Sequence, residues 1–138
     1  MSTLSLTYDG DQHATALKEP HHNTVAIDCP FTAKGDEFSP GNLLGISVAG
    51  CMLLSMGAVA RRNHMDINGT VVEIELTETN IPFPHVDTIS LAFKVPRNFT
   101  ASGRQKMQKA AGLCPIKQSF GQDTLVTATF DYAAEKAA

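Results

Sequence analysis

Residues 39–60 read Ser39-Pro-Gly-Asn-Leu-Leu-Gly-Ile-Ser-Val-Ala-Gly-Cys51-Met-Leu-Leu-Ser-Met-Gly-Ala-Val-Ala60 and contain no charged side chain. Ser39 suits the position that caps a helix, and Pro40 suits the first helical position. Arg61, Arg62 and His64 stand where cations complement the negative end of a helix dipole. These signals predict a helix from Pro40 to about His64. Its apolar residues fall on every side, so it is either buried or spans a membrane. The stretch reaches the roughly 20 apolar residues that a span needs. However, Gly41, Asn42, Gly45, Ser47, Gly50, Ser55 and Gly57 lower its hydropathy. The segments on either side also read as amphipathic strands that need a cover. A buried core helix is the expectation, with no membrane association.

Working outward, Leu4, Leu6 and Tyr8 alternate with Ser5 and Thr7, the period of a half-buried strand. Asp9-Gly10-Asp11 predicts a hairpin turn, His13 to Leu17 the returning strand and Thr24 to Asp28 a third strand. After the helix, Asn68-Gly69 breaks the chain. Val72, Ile74 and Leu76 then alternate with Glu73, Glu75 and Thr77, as in a strand with one wet face. Ile81-Pro-Phe-Pro84 is a rigid connection to a strand from Val86 to Val95. Thr100 or Ser102 can cap a helix running to about Leu113. Cys114-Pro115 interrupts it, a short helix reaches Phe120, and Thr124 to Tyr132 closes the chain as a strand. Ala133 to Ala138 carries no structural signal.

Runs of strands interrupted by helices predict an α+β fold, with antiparallel sheets around the long central helix. The 138 residues are expected to form a single domain, 1–138. One open sheet covers one side of a helix that is apolar all round, so a second chain is expected to cover the other in an intertwined homodimer. The net charge of −3 leaves no electrostatic footprint for nucleic acid. The N-terminus lacks the basic region and apolar core of a signal peptide. Three cysteines without a disulfide framework point to a reducing cytoplasm.

The chemistry-bearing candidates are thiols. Cys51 lies about three turns inside the predicted helix, too deep for the helix dipole to ionise it. Free cysteine is often a small buried hydrophobe, and Cys51 alone fits that description. Cys114 precedes a proline where one helix stops and another begins, which places its sulfur near free N–H groups able to favour a thiolate. Cys29, also before a proline, reads as a loop-edge cysteine or a further thiol partner. His13, His21, His22 and Cys29 match no familiar metal spacing, so no metal site is expected. Met52, Met56 and Met65 read as core filler.

Taken together, two of these positions carry a resemblance. Ser39-Pro40 followed by an apolar helix reaching Ala49-Gly50-Cys51, then Cys114-Pro115-Ile116-Lys117-Gln118-Ser119-Phe120, resembles the two motifs of the OsmC/Ohr family, the osmotically inducible and organic hydroperoxide resistance proteins. Asp28-Cys29-Pro30 looks like that family's Asp-x-Pro at a strand end, and the order of elements is similar over nearly the whole chain. The resemblance implies a dimeric thiol peroxidase. In it Cys51 is the peroxidatic thiolate, Cys114 the resolving thiol, an organic hydroperoxide the substrate and an external dithiol the reductant, with no bound cofactor. Met52 and Leu54 would line an apolar pocket beside Cys51. The chain departs from the pattern at two points. Gly41 stands where the family has a glutamate after Ser-Pro, and no arginine precedes Arg61 although the family's activating arginine belongs in the N-terminal strands. Lys18 is a poor substitute for a planar guanidinium. Slow peroxidase chemistry or a changed substrate is therefore expected. The alternative is a catalytically weakened OsmC-like dimer that binds an apolar small molecule.

Overall fold

The computed structural model describes residues 3–133; residues 134–138, within the C-terminal stretch without structural signal, lie outside the described residues. The chain forms two compact units, Met1–Leu44 and Gly45–Ala138, with their boundary inside the long helix.

The first unit is a three-stranded antiparallel meander of β1 (Thr3–Gly10), β2 (His13–Glu19) and β3 (Asn23–Asp28). Leu6 faces Ala16 and Thr15 faces Ala26 across the two ladders. The hairpin turn sits later than Asp9-Gly10-Asp11 predicts. Asp11 and Gln12 both adopt positive φ, 52° and 63°, the geometry of a two-residue turn whose twist matches the strands. The register shifts between Tyr8 and Gly10, which takes up the displacement, and Gly10 itself lies at φ 90°. At the far end of β3 the chain folds back on itself. The Asp28 amide donates to the Phe38 carbonyl at 3.0 Å, and the Asp36 amide donates to Asp28 Oδ2 at 3.0 Å. That return delivers Ser39 to the start of α1 (Pro40–Arg62). Ser39 Oγ accepts from the Asn42 amide at 3.0 Å and Asn42 Oδ1 accepts from the Ser39 amide at 2.9 Å, a reciprocal cap with Asn in the role usually taken by Glu or Gln.

The expected half-buried face of β1 is not covered. Leu4, Leu6 and Tyr8 are 75%, 64% and 66% exposed. Their alternation set the strand, but burial needs a second layer, and no described residue of the chain supplies one.

The second unit holds the rest of α1, a sheet of β4 (Val71–Thr79), β5 (His85–Val95) and β6 (Leu125–Tyr132), and the helices α2 (Ala101–Gly112) and α3 (Pro115–Gln118). β4 and β5 pair antiparallel, but β5 and β6 pair parallel, with Ile89 opposite Val126 and Phe93 opposite Phe130. The all-antiparallel expectation is corrected here. The connection from β5 to β6 contains two helices and is long enough to return the chain to the end where β5 began, the route a parallel pair requires. Val48, Met52, Met56 and Ala60 recur every four residues along α1 and are buried, as are Ile89, Leu91, Phe93 and Val95 on one face of β5 and Met107 and Ala111 of α2. α1 meets the sheet closely at Gly45, where an added Cβ would lie 2.8 Å from Ile74 Cγ2. Phe93 stacks on Phe130 with centroids 4.8 Å apart. Thr100 caps α2 by accepting from the Gly103 amide at 3.1 Å.

α1 is long and apolar enough to cross a membrane, a test that the core helix of a soluble protein also passes. Its Val48–Ala60 row is core. Its other side is apolar but uncovered, with Ile46 44% and Leu54 76% exposed.

Candidate active site

Cys51 and Cys114 both belong to the second unit. Cys51 projects from α1 and is half-buried. The Ser55 hydroxyl, one turn on, donates to the Cys51 carbonyl at 2.9 Å and anchors the local backbone. Cys114 is fully buried. α2 ends in a tight turn, with the Leu113 amide donating to the Ala110 carbonyl and the Cys114 amide to that of Ala111, both at 3.2 Å. Pro115, at the first position of α3, has no N–H to leave unpaired there. Cys114 is thus the N-cap of α3, and its Sγ accepts from the Lys117 amide at 3.4 Å.

The two thiols, far apart in sequence, are neighbours in the fold, close enough for Cys51 to act on the ionisation of Cys114. Burial first, and the neighbouring Cys51 thiol second, raise the Cys114 pKa above the ordinary thiol value. The amides of Lys117 and Ile116 act in the opposite sense and are outweighed. Free N–H groups are therefore present where the Cys-Pro junction predicts them, but they do not make Cys114 a thiolate, because one short helix start cannot offset full desolvation. Neighbouring thiols are the arrangement a disulfide needs, since the bond requires Cβ atoms about 4 Å apart.

The other candidates are placed elsewhere. Met52 is 1% exposed and Leu54 76%, so the two do not share one lining within the chain. Arg61 and Arg62 are exposed at the C-terminal end of α1. Cys29 lies in the first unit, where the Thr32 hydroxyl, then the amides of Phe31 and Thr32, lower its pKa against the opposing charge of Asp28. His22 pairs with Glu19 at 3.1 Å, and His21 is exposed. Among the described residues no three or more His, Cys, Asp or Glu side chains gather as a metal site. The Lys117 amide is one of the free N–H groups that the Cys-Pro junction places beside the Cys114 sulfur.

The family model described as OsmC-like protein matches residues 33–129, a span that includes both thiols. The chain belongs to the OsmC-like family. Its fold is shared by several solved OsmC-like structures. A putative osmotic stress induced and detoxification response protein from Psychrobacter arcticus superposes with a TM-score of 0.88 at 28% identity, covering 95% of this chain and 96% of that one. An OsmC-like protein from Mycoplasma pneumoniae gives 0.81 at 13% identity over 97% and 98%. The organic hydroperoxide resistance protein OhrB of Bacillus subtilis gives 0.70 at 14% identity over 95% and 98%. No curated protein matches this OsmC-like chain by sequence.

Proposed function

We propose that this OsmC-like protein is a thiol-dependent peroxidase that reduces organic hydroperoxides, acting as a cytoplasmic homodimer. The observation that carries the reading is the juxtaposition of Cys51 on α1 with the buried Cys114 at the α2–α3 junction. Support also comes from fold relatives described as organic hydroperoxide resistance proteins, in Bacillus subtilis and Legionella pneumophila.

The Cys51 sulfur attacks one oxygen of the hydroperoxide, the O–O bond breaks, and the other oxygen leaves as the alcohol after taking up a proton. Cys51 is now a sulfenic acid. The Cys114 sulfur attacks it, water leaves, and a Cys51–Cys114 disulfide forms. An external dithiol opens that disulfide through a mixed disulfide and restores both thiols, itself becoming oxidised. Ser55 positions the Cys51 backbone through its carbonyl.

The homodimer is supported by uncovered apolar surface on each unit. Leu4, Leu6 and Tyr8 of β1 and Ile46 and Leu54 of α1 are all large, apolar and exposed. A second reading, a weakened dimer that binds an apolar small molecule, is favoured by Gly41 in place of the family's glutamate and by the absence of any arginine before Arg61.

Treatment of the reduced protein with one equivalent of tert-butyl hydroperoxide, followed by mass spectrometric mapping, separates the two. The peroxidase yields a Cys51–Cys114 disulfide in the wild-type chain and a trappable Cys51 sulfenate in Cys114→Ser. If neither species forms, the binding reading stands instead.

A further inference from the structure

The second unit contains an open depression of about 580 Å³ lined by Ala101, Arg104, Gln105, Gln108 and Lys109. None of these residues belongs to the thiol pair. All lie on α2, where Arg104 with Gln108 and Gln105 with Lys109 form two adjacent rows one turn apart. Every polar side chain in the lining can donate a hydrogen bond, and α2 contains no aspartate or glutamate.

The arginine is held in place by neutral groups. Its Nη1 donates to Asn98 Oδ1 at 2.9 Å, and the guanidinium carbon lies 5.6 Å from the centroid of the Tyr132 ring. Tyr132 is itself fixed, edge-on to Phe99 at 6.4 Å and accepting from Gln108 Nε2 at 3.0 Å. A guanidinium has five N–H donors, and Asn98 occupies one of those in Arg104. Neither Arg104 nor Lys109 pairs with a carboxylate among the described residues. The nearest acid in sequence to Tyr132 is Asp131, which strand alternation sends to the opposite face of the sheet, where it acts on Lys94.

Here an oriented guanidinium and a lysine have no carboxylate partner among the described residues and stand beside two amides. A fixed planar fork with a second cation nearby suits an oxyanion held through two parallel N–H bonds. We propose that this depression is a binding site for a small oxyanion, a phosphate monoester or a carboxylate, gripped by the free N–H groups of Arg104 with Lys109 supplying the second charge.

Titration of the full-length ¹⁵N-labelled protein at low salt tests this, with glycerol 3-phosphate, inorganic phosphate and glutarate as separate probes. At least one probe is expected to give saturable shifts centred on Arg104, Gln105, Gln108 and Lys109. Affinity should fall at least tenfold in Arg104→Gln, severalfold in Lys109→Gln and also with added sodium chloride, and stay unchanged in Arg61→Gln. Saturation by the phosphates alone identifies a phosphoryl ligand, and saturation by glutarate alone a carboxylate. Should Arg104→Gln fail to fold, Lys109→Gln reads the same question, because Lys109 is exposed. Linear shifts with every probe, or an affinity indifferent to these substitutions, overturns the proposal.

Discussion

Cys29 and Cys114 each precede a proline, yet their environments pull the thiols in opposite directions. Cys29 is stabilised as a thiolate by the Thr32 hydroxyl and two amides, whereas burial and Cys51 hold Cys114 protonated. Alkylation with iodoacetamide near neutral pH should therefore label Cys29 well before Cys114, as read by peptide mass spectrometry. Thr32→Val, which removes the leading donor, should slow Cys29 labelling without touching Cys114. The raised pKa of Cys114 also has a consequence for stability. In the unfolded chain the thiol ionises at its ordinary pKa, and in the folded chain only above it. The stabilisation is complete below the ordinary thiol value and is lost as pH rises through the folded one. Denaturation midpoints should fall on the alkaline side of that value, and less steeply in Cys114→Ala. Asp28 presents a different residue-scale problem, because it is 2% exposed and its Oδ1 has no hydrogen-bond partner. Its Oδ2 nevertheless organises the loop before α1 through the Asp36 amide. Asp28→Ala would leave that amide unpaired, and urea denaturation should register a loss of about 1–3 kcal/mol.

The close approach of α1 to β4 depends on one missing methyl group. Gly45→Ala places a Cβ against Ile74 Cγ2, a branched and poorly yielding neighbour, and should destabilise by about 1–3 kcal/mol in chemical denaturation. Ile74→Leu removes that β-branch methyl, so the double variant should recover much of the loss, a coupling that independent sites would not show. Thr100→Ala should cost about 1 kcal/mol by removing the cap of α2. These elements were readable because their signals are local. Ser39-Pro40, Thr100 and Cys114-Pro115 mark helix starts by chemistry within three residues, and the alternation from Val72 to Leu76 marks a strand face. The parallel direction of β6 was not readable, because its alternating residues would look the same in either direction and the connection before it permits both. The shifted hairpin turn escaped for a related reason. Asp9-Gly10-Asp11 has turn chemistry, but the register shift beside Gly10 moves the two left-handed positions to Asp11 and Gln12. At the site, the motifs single out Cys51 and Cys114 as the candidate thiols. The net shift of Cys114 was not, since it depends on how completely α1 and the α2–α3 junction bury it.

At the scale of the molecule, the feature that first suggested a membrane span now bears on assembly. α1 buries the row Val48, Met52, Met56 and Ala60, but Ile46 and Leu54 on its other side remain exposed. Between and beyond them stand Gly50 and Gly57, around which no atom of the chain lies within 4 Å of an added Cβ. A helix face that joins exposed large side chains to open glycine positions can accept another helix at close range, with Leu54 filling the space above a glycine. On the dimer reading, Leu54→Glu places a charge in that contact, and sedimentation velocity should show the wild-type dimer replaced by monomer while far-UV circular dichroism stays unchanged. Gly57→Ala sharpens the test. In an isolated chain it should stabilise the helix by about 1 kcal/mol, since alanine is the better helix former and nothing obstructs the methyl. In a dimer packed through this face the same methyl meets the partner, and the gain should vanish or reverse. A stabilised Gly57→Ala chain together with a Leu54→Glu chain of unchanged mass in solution would place the assembly interface elsewhere and leave the uncovered β1 face, with Leu4, Leu6 and Tyr8, as the surface that a second copy covers.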